Sequence, residues 1–207
     1  MPDEEVPQPA PITASKLVLV EGWDEYGVVK CLIEKWGLTD IEVRCLDGET
    51  DWPRQVRMVT GASGFRGVRS ILMIRDANSA PEAKFRSTGN ALSSAGLTVP
   101  QQPEVFADGA PRVAIFISPG ETRTGEFDDL LLEILSQSPV VPCIDAFEQC
   151  LNEHAIPVPK KRSKMRLQLH LAAHPRVFRT AAIACTGNMF DPTHPALTRL
   201  RQLLQAL

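Results

Sequence analysis

Several sequence features that commonly indicate a function are scarce or missing in this sequence of 207 residues. No apolar run approaches the ~20 residues that a membrane-spanning helix requires. Aromatic residues make up only 6% of the chain, which argues against an extended surface for stacking nucleic-acid bases. The formal net charge is -3, so the protein as a whole lacks the basic surface of a nucleic-acid binder. We therefore expect a soluble, cytoplasmic protein whose nucleic-acid contacts, if any, are local.

Metal sites built from cysteine or histidine have little support. The five cysteines are odd in number and widely spread, with no C-x-x-C pair, and no histidine stands at finger-like spacing from them. This pattern predicts reduced, buried thiols and neither disulfides nor zinc. A Gly-x-Ser-x-Gly elbow is also missing, so a hydrolase of that type has no support.

The chain divides into three predicted segments. Residues 1–14 hold four prolines and three acids without the pattern of a signal peptide, so we predict a disordered tail. Residues 15–138 alternate strand and helix signals, and residues 139–207 show helical patterns alone. This order predicts an α/β fold with a mostly parallel sheet flanked by helices, and a helical C-terminal extension packing on it.

Apolar runs and turn signals place the individual elements. The predicted strands are Lys16–Val20, Ile41–Cys45, 70–75 and Arg112–Ser118, with a further strand near 104–106 that would pair with the last of these across the turn at Asp108. The predicted helices cover approximately residues 24–36, 51–60, 81–95, 127–135, 144–153, 163–173 and 195–205.

Acidic residues follow three of the predicted strands. Glu21 comes after the first, Asp76 after the third, and Asp128 and Asp129 lie in the turn and helix after the last. At one edge of a parallel sheet these side chains would converge and repel one another unless a cation lay among them. Carboxylates without nearby His or Cys favour Mg²⁺ over zinc. The alternative is structural, because acids at strand ends also cap helices and complement their dipoles.

A local basic cluster follows the prolines near residue 158. A run of this kind is usually a solvated helix start, and the alternative is a contact with nucleic-acid phosphates. The cluster consists of Lys160, Lys161, Arg162, Lys164 and Arg166.

Three segments resemble the Toprim (topoisomerase-primase) family. Leu19-Val-Glu21-Gly-Trp-Asp24 resembles its first motif, a strand that ends in Glu-Gly with an Asp three residues after the Glu. Ile74-Arg-Asp76-Ala-Asn78 resembles the second, a strand followed by Asp-x-Asp. Gly125-Glu-Phe-Asp128-Asp129-Leu resembles a segment of small stand-alone bacterial Toprim-like proteins related to the overcoming-lysogenisation-defect nucleases. The likeness covers roughly residues 16–135.

The resemblance implies cleavage, transfer or synthesis of phosphodiester bonds with Mg²⁺ or Mn²⁺. It implies that Glu21 acts as a general acid, general base or metal ligand, and that Asp76 is a metal ligand. Asp24, with Asp128 or Asp129, would bind a second ion, and two ions together stabilise the attacking and leaving oxygens of an in-line displacement.

The related nucleases also place a lysine from their C-terminal portion at the site. Lys164 is the candidate here, with Lys160 and Lys161 as alternates, and such a cation would neutralise transition-state charge. The second motif departs from the family pattern, because Asn78 replaces its second acid and offers an amide oxygen without a charge.

Two functions therefore remain open. The first is a Mg²⁺-dependent phosphodiester-cleaving enzyme that acts on nucleic acid through the basic cluster. The second, which the substitution by Asn78 favours, is a catalytically weak or inactive metal-binding interaction module. The resemblance implies an ATPase as the partner of such a module.

Overall fold

The computed structural model describes residues 10–46, 51–120 and 122–207. Its fold is α/β, with a four-stranded parallel sheet in the order β2-β1-β3-β4. The strands are β1 (Lys16–Val20), β2 (Ile41–Cys45), β3 (Ser70–Asp76) and β4 (Arg112–Ser118). The predicted fold class is confirmed. Residues 1–9 of the predicted tail lie outside the described residues, and Ile12, within the same segment, is buried and donates its N–H to the Ser63 carbonyl across 2.8 Å.

Helices cover both faces of the sheet. They are α1 (Trp23–Lys35), α2 (Trp52–Thr60), α3 (Pro81–Ser94), α4 (Phe127–Ile134), α5 (Val141–Glu153), α6 (Arg162–Ala173), α7 (Ala181–Thr186) and α8 (Thr198–Gln205). Short 3₁₀ helices cover Phe65–Gly67 and Pro195–Leu197.

The pleat of the strands separates two apolar layers. Side chains alternate between the faces of a strand, so Leu19 and Met73 pack with α2 and α3, whereas Val20 and Ile74 pack with α1 and α4. Strands β1, β3 and β4 are buried on both faces, which explains why they read as continuous apolar runs. The edge strand β2 is partly buried along its whole length and alternates apolar with charged residues.

Two details differ from the sequence expectation. The stretch near 104–106 forms no strand; there is an isolated antiparallel bridge between Ala107 and Val113, and the Glu104 N–H donates to the Ile115 carbonyl across 2.7 Å. Helix α7 was not predicted, because its six residues are too few to show a helical period.

The residues after position 138 share the core of the sheet. Leu171, Ala184 and Leu200 belong to the apolar layer that covers the α1 and α4 face. Helix α6 contacts α4, and α7 contacts α1. A Cβ atom at Gly27 would lie 2.4 Å from the Ala182 Cβ, so α1 and α7 approach as closely as they do because residue 27 has no side chain.

All five cysteines are free thiols, as expected from their spacing. Burial was expected for all of them, and this is wrong for Cys143 and Cys150, which are exposed on α5. Within the described ranges, the helices are too short or too polar to cross a bilayer.

Candidate functional site

The carboxyl ends of β1 and β3 place the motif residues next to each other. Val20 pairs with Ile74 in register, so Glu21 lies level with Arg75. Because side chains alternate along a strand, this pair belongs to the α2 and α3 face of the sheet, whereas Asp76 belongs to the α1 and α4 face. The consecutive residues Arg75 and Asp76 of β3 therefore lie on opposite faces of the sheet, in two different environments.

Glu21 forms a buried ion pair with Arg75. The Arg75 Nε lies 3.1 Å from the Glu21 Oε2, and the exposed fractions of the two side chains are 5% and 9%. The guanidinium also lies 3.9 Å from the ring centroid of Trp52 and donates to the hydroxyls of Ser87 and Thr88. A buried charge pair is tolerated when its remaining hydrogen-bonding groups are satisfied, and these contacts fix Glu21 at the end of β1.

Asp76 lies in an acidic environment and contacts the start of α4. Its Oδ1 accepts the Phe127 N–H across 2.7 Å. Burial raises the pKa of Asp76 to about 8, and the charges of Glu25, Glu21 and Glu126 act in the same direction. The carboxyl group is thus held where its ionised form is unfavourable.

Glu25 is a site residue that the sequence analysis missed. A Cβ at Gly22 would lie 2.5 Å from the Glu25 Oε2, so the glycine of the Glu-Gly motif leaves room for this carboxylate. Burial raises the pKa of Glu25, and the charges of Asp24 and Glu21 raise it further. Its position in the first turn of α1, four residues after Glu21, was a signal that could have identified it.

Asp128 and Asp24 form the other side of the site. Burial raises the pKa of Asp128 to about 6, with a contribution from the charge of Asp24, although the positive charge of Lys164 opposes the shift. The Lys164 Nζ lies 3.0 Å from the Asp24 Oδ2, and this hydrogen bond raises the pKa of Lys164. The predicted lysine therefore reaches the acids from α6.

These carboxylates interact through their charges, and we call them the acidic cluster. Its members are Glu21, Asp24, Glu25, Asp76, Glu126 and Asp128.

Asp129 has a different environment from Asp128. Its Oδ2 accepts the Glu126 N–H across 2.7 Å, and its Oδ1 accepts the Ser163 hydroxyl. Gly125 has a φ of 133°, and a Cβ there would lie 2.7 Å from the Asp129 Oδ2. Asp129 thus caps the first turn of α4 and connects it to α6 by a hydrogen bond. Helix capping was the structural alternative to metal binding for this residue.

Asn78 links the loops that follow β3 and β4. Its N–H donates to the Gly125 carbonyl and its carbonyl accepts the Gly125 N–H, each across 2.7 Å. Its φ of 50° is in the left-handed region, where Asn and Asp are the best tolerated residues after glycine. The departure from the family pattern therefore lies at a constrained backbone position beside the site.

The basic cluster divides into two parts. Arg162 and Arg166 both pair with Glu148 of α5, each across 2.6 Å. Lys161 instead lies 3.5 Å from Glu126, and Lys164 contacts Asp24 as described. The arginines therefore join α5 to α6, and the two lysines face the acidic cluster.

The donor chemistry of the acidic cluster fits a hard cation. Buried carboxylates beside like charges gain their ionised form when a divalent cation is close. Among the residues that the structure describes, no three His, Cys, Asp or Glu side chains are grouped closely enough to hold an ion. Mg²⁺ commonly uses only one or two carboxylates and completes its shell with water and substrate phosphates, and the cluster suits this type of site.

Comparisons with known proteins give one family and a set of structural matches. A family model described as "Protein of unknown function (DUF3226)" matches residues 15–207, and no curated protein matches the chain. The chain is similar to the C-terminal region of the Xanthomonas campestris pv. campestris OLD protein phased with mercury, with 16% identity, a TM-score of 0.47, and coverage of 93% of this chain and 93% of that chain. The same region phased with iodine is 15% identical, with a TM-score of 0.45 and coverage of 93% of this chain and 95% of that chain.

Proposed function

This chain belongs to the DUF3226 family of proteins of unknown function, and we propose that it is a Toprim-like, Mg²⁺- or Mn²⁺-dependent enzyme that cleaves phosphodiester bonds in nucleic acid. One observation supports this proposal above the others. Asp76, in the segment that resembles the second Toprim motif, has a pKa of about 8 because it is buried beside Glu25, Glu21 and Glu126. Keeping several carboxylates this close is unfavourable for folding unless a cation balances them.

Asp76 and Glu25 are the proposed ligands of one ion. The charge of Glu25 has the largest effect of any neighbouring charge on Asp76. Asp24 and Asp128 are the proposed ligands of a second ion, and Asn78 would contribute an amide oxygen beside Asp76. A bound Mg²⁺ would polarise the phosphoryl group and stabilise the negative charge that develops on it.

The protein's own residues supply the remaining chemistry. Lys164, which contacts Asp24, would stabilise negative charge on the phosphate in the transition state. Glu21 would act as the general acid or base, as the first Toprim motif implies. Arg75 is then a positioning residue, because its contact across 3.1 Å fixes the carboxylate of Glu21 without reaching the reacting phosphate.

Nucleic acid would approach along the lysine side of the basic cluster. Lys160 is exposed and precedes Lys161, which lies at Glu126. Arg162 and Arg166 are engaged by Glu148, so we assign the phosphate contacts to the lysines. Such contacts make binding strongly dependent on salt.

Cleavage assays test this proposal directly. Purified protein would be incubated with plasmid and single-stranded DNA in Mg²⁺, Mn²⁺ or EDTA. We expect metal-dependent cleavage that falls by at least ~100-fold in Asp76→Asn and Glu25→Gln, and that persists in Glu34→Gln, which alters an exposed acid at the other end of α1. Equal cleavage by all variants, or cleavage in EDTA, would assign the activity to a contaminant or to other residues.

A second candidate function is a catalytically inactive interaction module that works beside a partner ATPase. The observation in its favour is Asn78, together with the ion pairs that already balance Glu21 and Asp24. Titration calorimetry with Mn²⁺ distinguishes the two candidates. Absence of uptake at millimolar metal, with no cleavage of any substrate, would favour the module over the enzyme.

A further inference from the structure

Trp23 occupies an unusual position beside the acidic cluster. It is the first residue of α1, between the Glu-Gly turn and Asp24, and it is 65% exposed. Trp52, by contrast, is 3% exposed and packs in the core, and Trp36 is partly buried with its indole N–H donating to the Pro192 carbonyl. A large aromatic side chain left in water forgoes more burial energy than most other residues would, and most of the surface of Trp23 is accessible to a ligand.

Tyr26 restrains the orientation of Trp23. The two ring centroids lie 5.4 Å apart at an interplanar angle of 68°, which is an edge-to-face contact. Tyr26 is itself partly buried against the apolar layer of α1. The pair therefore presents an indole that is both exposed and held in a restricted set of orientations, which lowers the entropy lost when a flat ligand stacks on it.

An open groove of about 470 Å³ adjoins this aromatic pair. Trp23 and Tyr26 line it together with the edge strand β2, through Val43, Arg44 and Cys45. Arg44 is anchored in the groove wall by Glu42 across 2.7 Å. The groove thus combines an aromatic surface with a few polar groups, including Glu42, which is the usual composition of a ligand-binding groove.

The charges around Trp23 indicate the other parts of the ligand. The next residue along the chain, Asp24, holds the Nζ of Lys164, and the side chains of both are about half exposed. A strand whose base contacts Trp23 would therefore have its phosphate near this lysine and the proposed metal site. A protein partner would gain from the exposed indole but not from the neighbouring phosphate-binding chemistry.

We infer that Trp23, held by Tyr26, is a stacking platform for an unpaired nucleobase, so that the site takes single-stranded nucleic acid or unpaired ends in preference to continuous duplex. The face of a base is available for stacking on a side chain only when the base has left its own stack. The placement of the phosphate in this inference rests on the proposed function, whereas the stacking contact does not require metal or cleavage.

Fluorescence anisotropy in EDTA tests the inference without any cleavage. The probes are a labelled oligonucleotide of about 12 adenine nucleotides, the corresponding strand with abasic sites, and the duplex. Stacking on an aromatic side chain contributes about 1 to 3 kcal/mol per base, so the adenine strand should bind about 5- to 150-fold more tightly than the abasic strand. Trp23→Ala should remove this difference, and Trp23→Phe should keep most of it.

The matched control is Phe147→Ala, which removes an exposed aromatic side chain on α5 and should leave all three affinities unchanged. Equal binding of the adenine and abasic strands by the wild type, or an unchanged preference in Trp23→Ala, would overturn the inference. If Trp23→Ala loses capture of a protein partner while its DNA binding is unchanged, the residue belongs to a protein interface and the inference is wrong.

Failure of the proposed function gives a different result. Asp76→Asn should lose Mn²⁺ uptake and cleavage while keeping the base-dependent affinity in EDTA. If the wild-type protein neither cleaves DNA nor binds metal, and yet prefers the adenine strand through Trp23, the stacking inference stands and the proposed enzymatic function is wrong.

Discussion

Arg75 and Glu21 form a buried ion pair at the ends of two adjacent parallel strands, with their nearest atoms 3.1 Å apart. Arg75 and Asp76 are consecutive residues on opposite faces of β3, so the ion pair lies on one face and Asp76 on the other. Glu21 belongs both to the ion pair and to the acidic cluster, because its charge also affects Asp76.

Removal of Arg75 should strongly destabilise the protein. Arg75→Met would leave the Glu21 carboxylate buried without its partner, and loss of one member of such a pair lowers the free energy of unfolding by about 3 to 5 kcal/mol. The double variant Arg75→Met with Glu21→Gln should recover most of this loss. Urea unfolding measures both values. The control is Arg123→Met, which breaks an exposed pair with Glu133 and should lower stability by less than about 1 kcal/mol. Equal stability of the single and double variants would show that the pair is not coupled.

Asp76 should make the metal-free protein less stable as the pH rises. Its pKa is about 8 in the folded protein and 3.8 in its ordinary state, so between these values the folded protein binds more protons than the unfolded chain. The free energy of unfolding should therefore fall with rising pH in this window, by at most about 1.4 kcal/mol per pH unit. Asp76→Asn should flatten the dependence, as measured by urea unfolding in EDTA. An identical slope in Glu34→Gln is expected, and an identical slope in Asp76→Asn would contradict the assignment.

Divalent metal should stabilise the folded protein through the acidic cluster. A ligand at about 100 times its dissociation constant adds about 2.7 kcal/mol to the free energy of unfolding. We expect Mn²⁺ to raise the unfolding temperature of the wild type and EDTA to reverse the effect. Glu25→Gln should weaken the response, whereas Phe147→Ala should not. A response that survives in Glu25→Gln and Asp76→Asn alike would place the metal elsewhere.

Asn78→Asp should strengthen metal binding. The backbone at residue 78 has a φ of 50°, which Asp tolerates about as well as Asn, so the variant should fold. An added carboxylate beside Asp76 should raise the Mn²⁺ affinity on the order of tenfold, since ligand charge tunes the affinity of such sites. Titration calorimetry measures the change, with Asn78→Gly as the control that removes the side chain. Unchanged or weaker binding in Asn78→Asp would exclude residue 78 from the site.

Glu148 should stabilise the contact between α5 and α6 at neutral pH. Hydrogen bonds from Arg162 hold the pKa of Glu148 below its ordinary value of 4.5, and Arg166 contributes. This stabilisation is present above about pH 4.5 and is lost as the pH falls through the lower folded pKa. Glu148→Gln should lower the free energy of unfolding at neutral pH by about 1 to 3 kcal/mol, with little effect at low pH. Glu153→Gln on the exposed side of α5 is the control, and an equal effect of both variants would contradict this role.

The sheet was predictable because β1, β3 and β4 are short apolar runs ended by polar turns, and because β2 alternates apolar and charged residues as a strand does. All four strands begin and end within one residue of the predicted bounds. Helix α7 could not be predicted, because Ala181–Thr186 is too short to show a helical period. The segment near 104–106 failed for another reason, because a single bridge at Ala107 replaces the expected pairing.

The site residues that belong to a sequence motif were predicted. Those that only the packing of the chain brings to the site were not. Glu25 and Glu126 join the acidic cluster because their charges act on the buried Asp76. Of the two, Glu25 had a sequence signal in its spacing from Glu21. Arg75 lies within an apolar strand and was not predicted, although its position two residues before Ala77 and level with Glu21 places it on the α2 and α3 face of the sheet. Asp129 could have been recognised as a capping residue from the spacing of Glu126 and Asp129.

Gly27 has a consequence for substitutions far from the acids. A Cβ at this position would meet Ala182 at 2.4 Å, so any side chain there would push α1 away from α7. Helix α1 carries Trp23, Asp24 and Glu25 at its first turn, and a rigid shift of the helix would move all three together. One methyl group added at position 27 should therefore disturb the proposed metal ligands and the proposed base-binding residue without contacting them. The position of the first helix thus depends on packing against the last quarter of the chain.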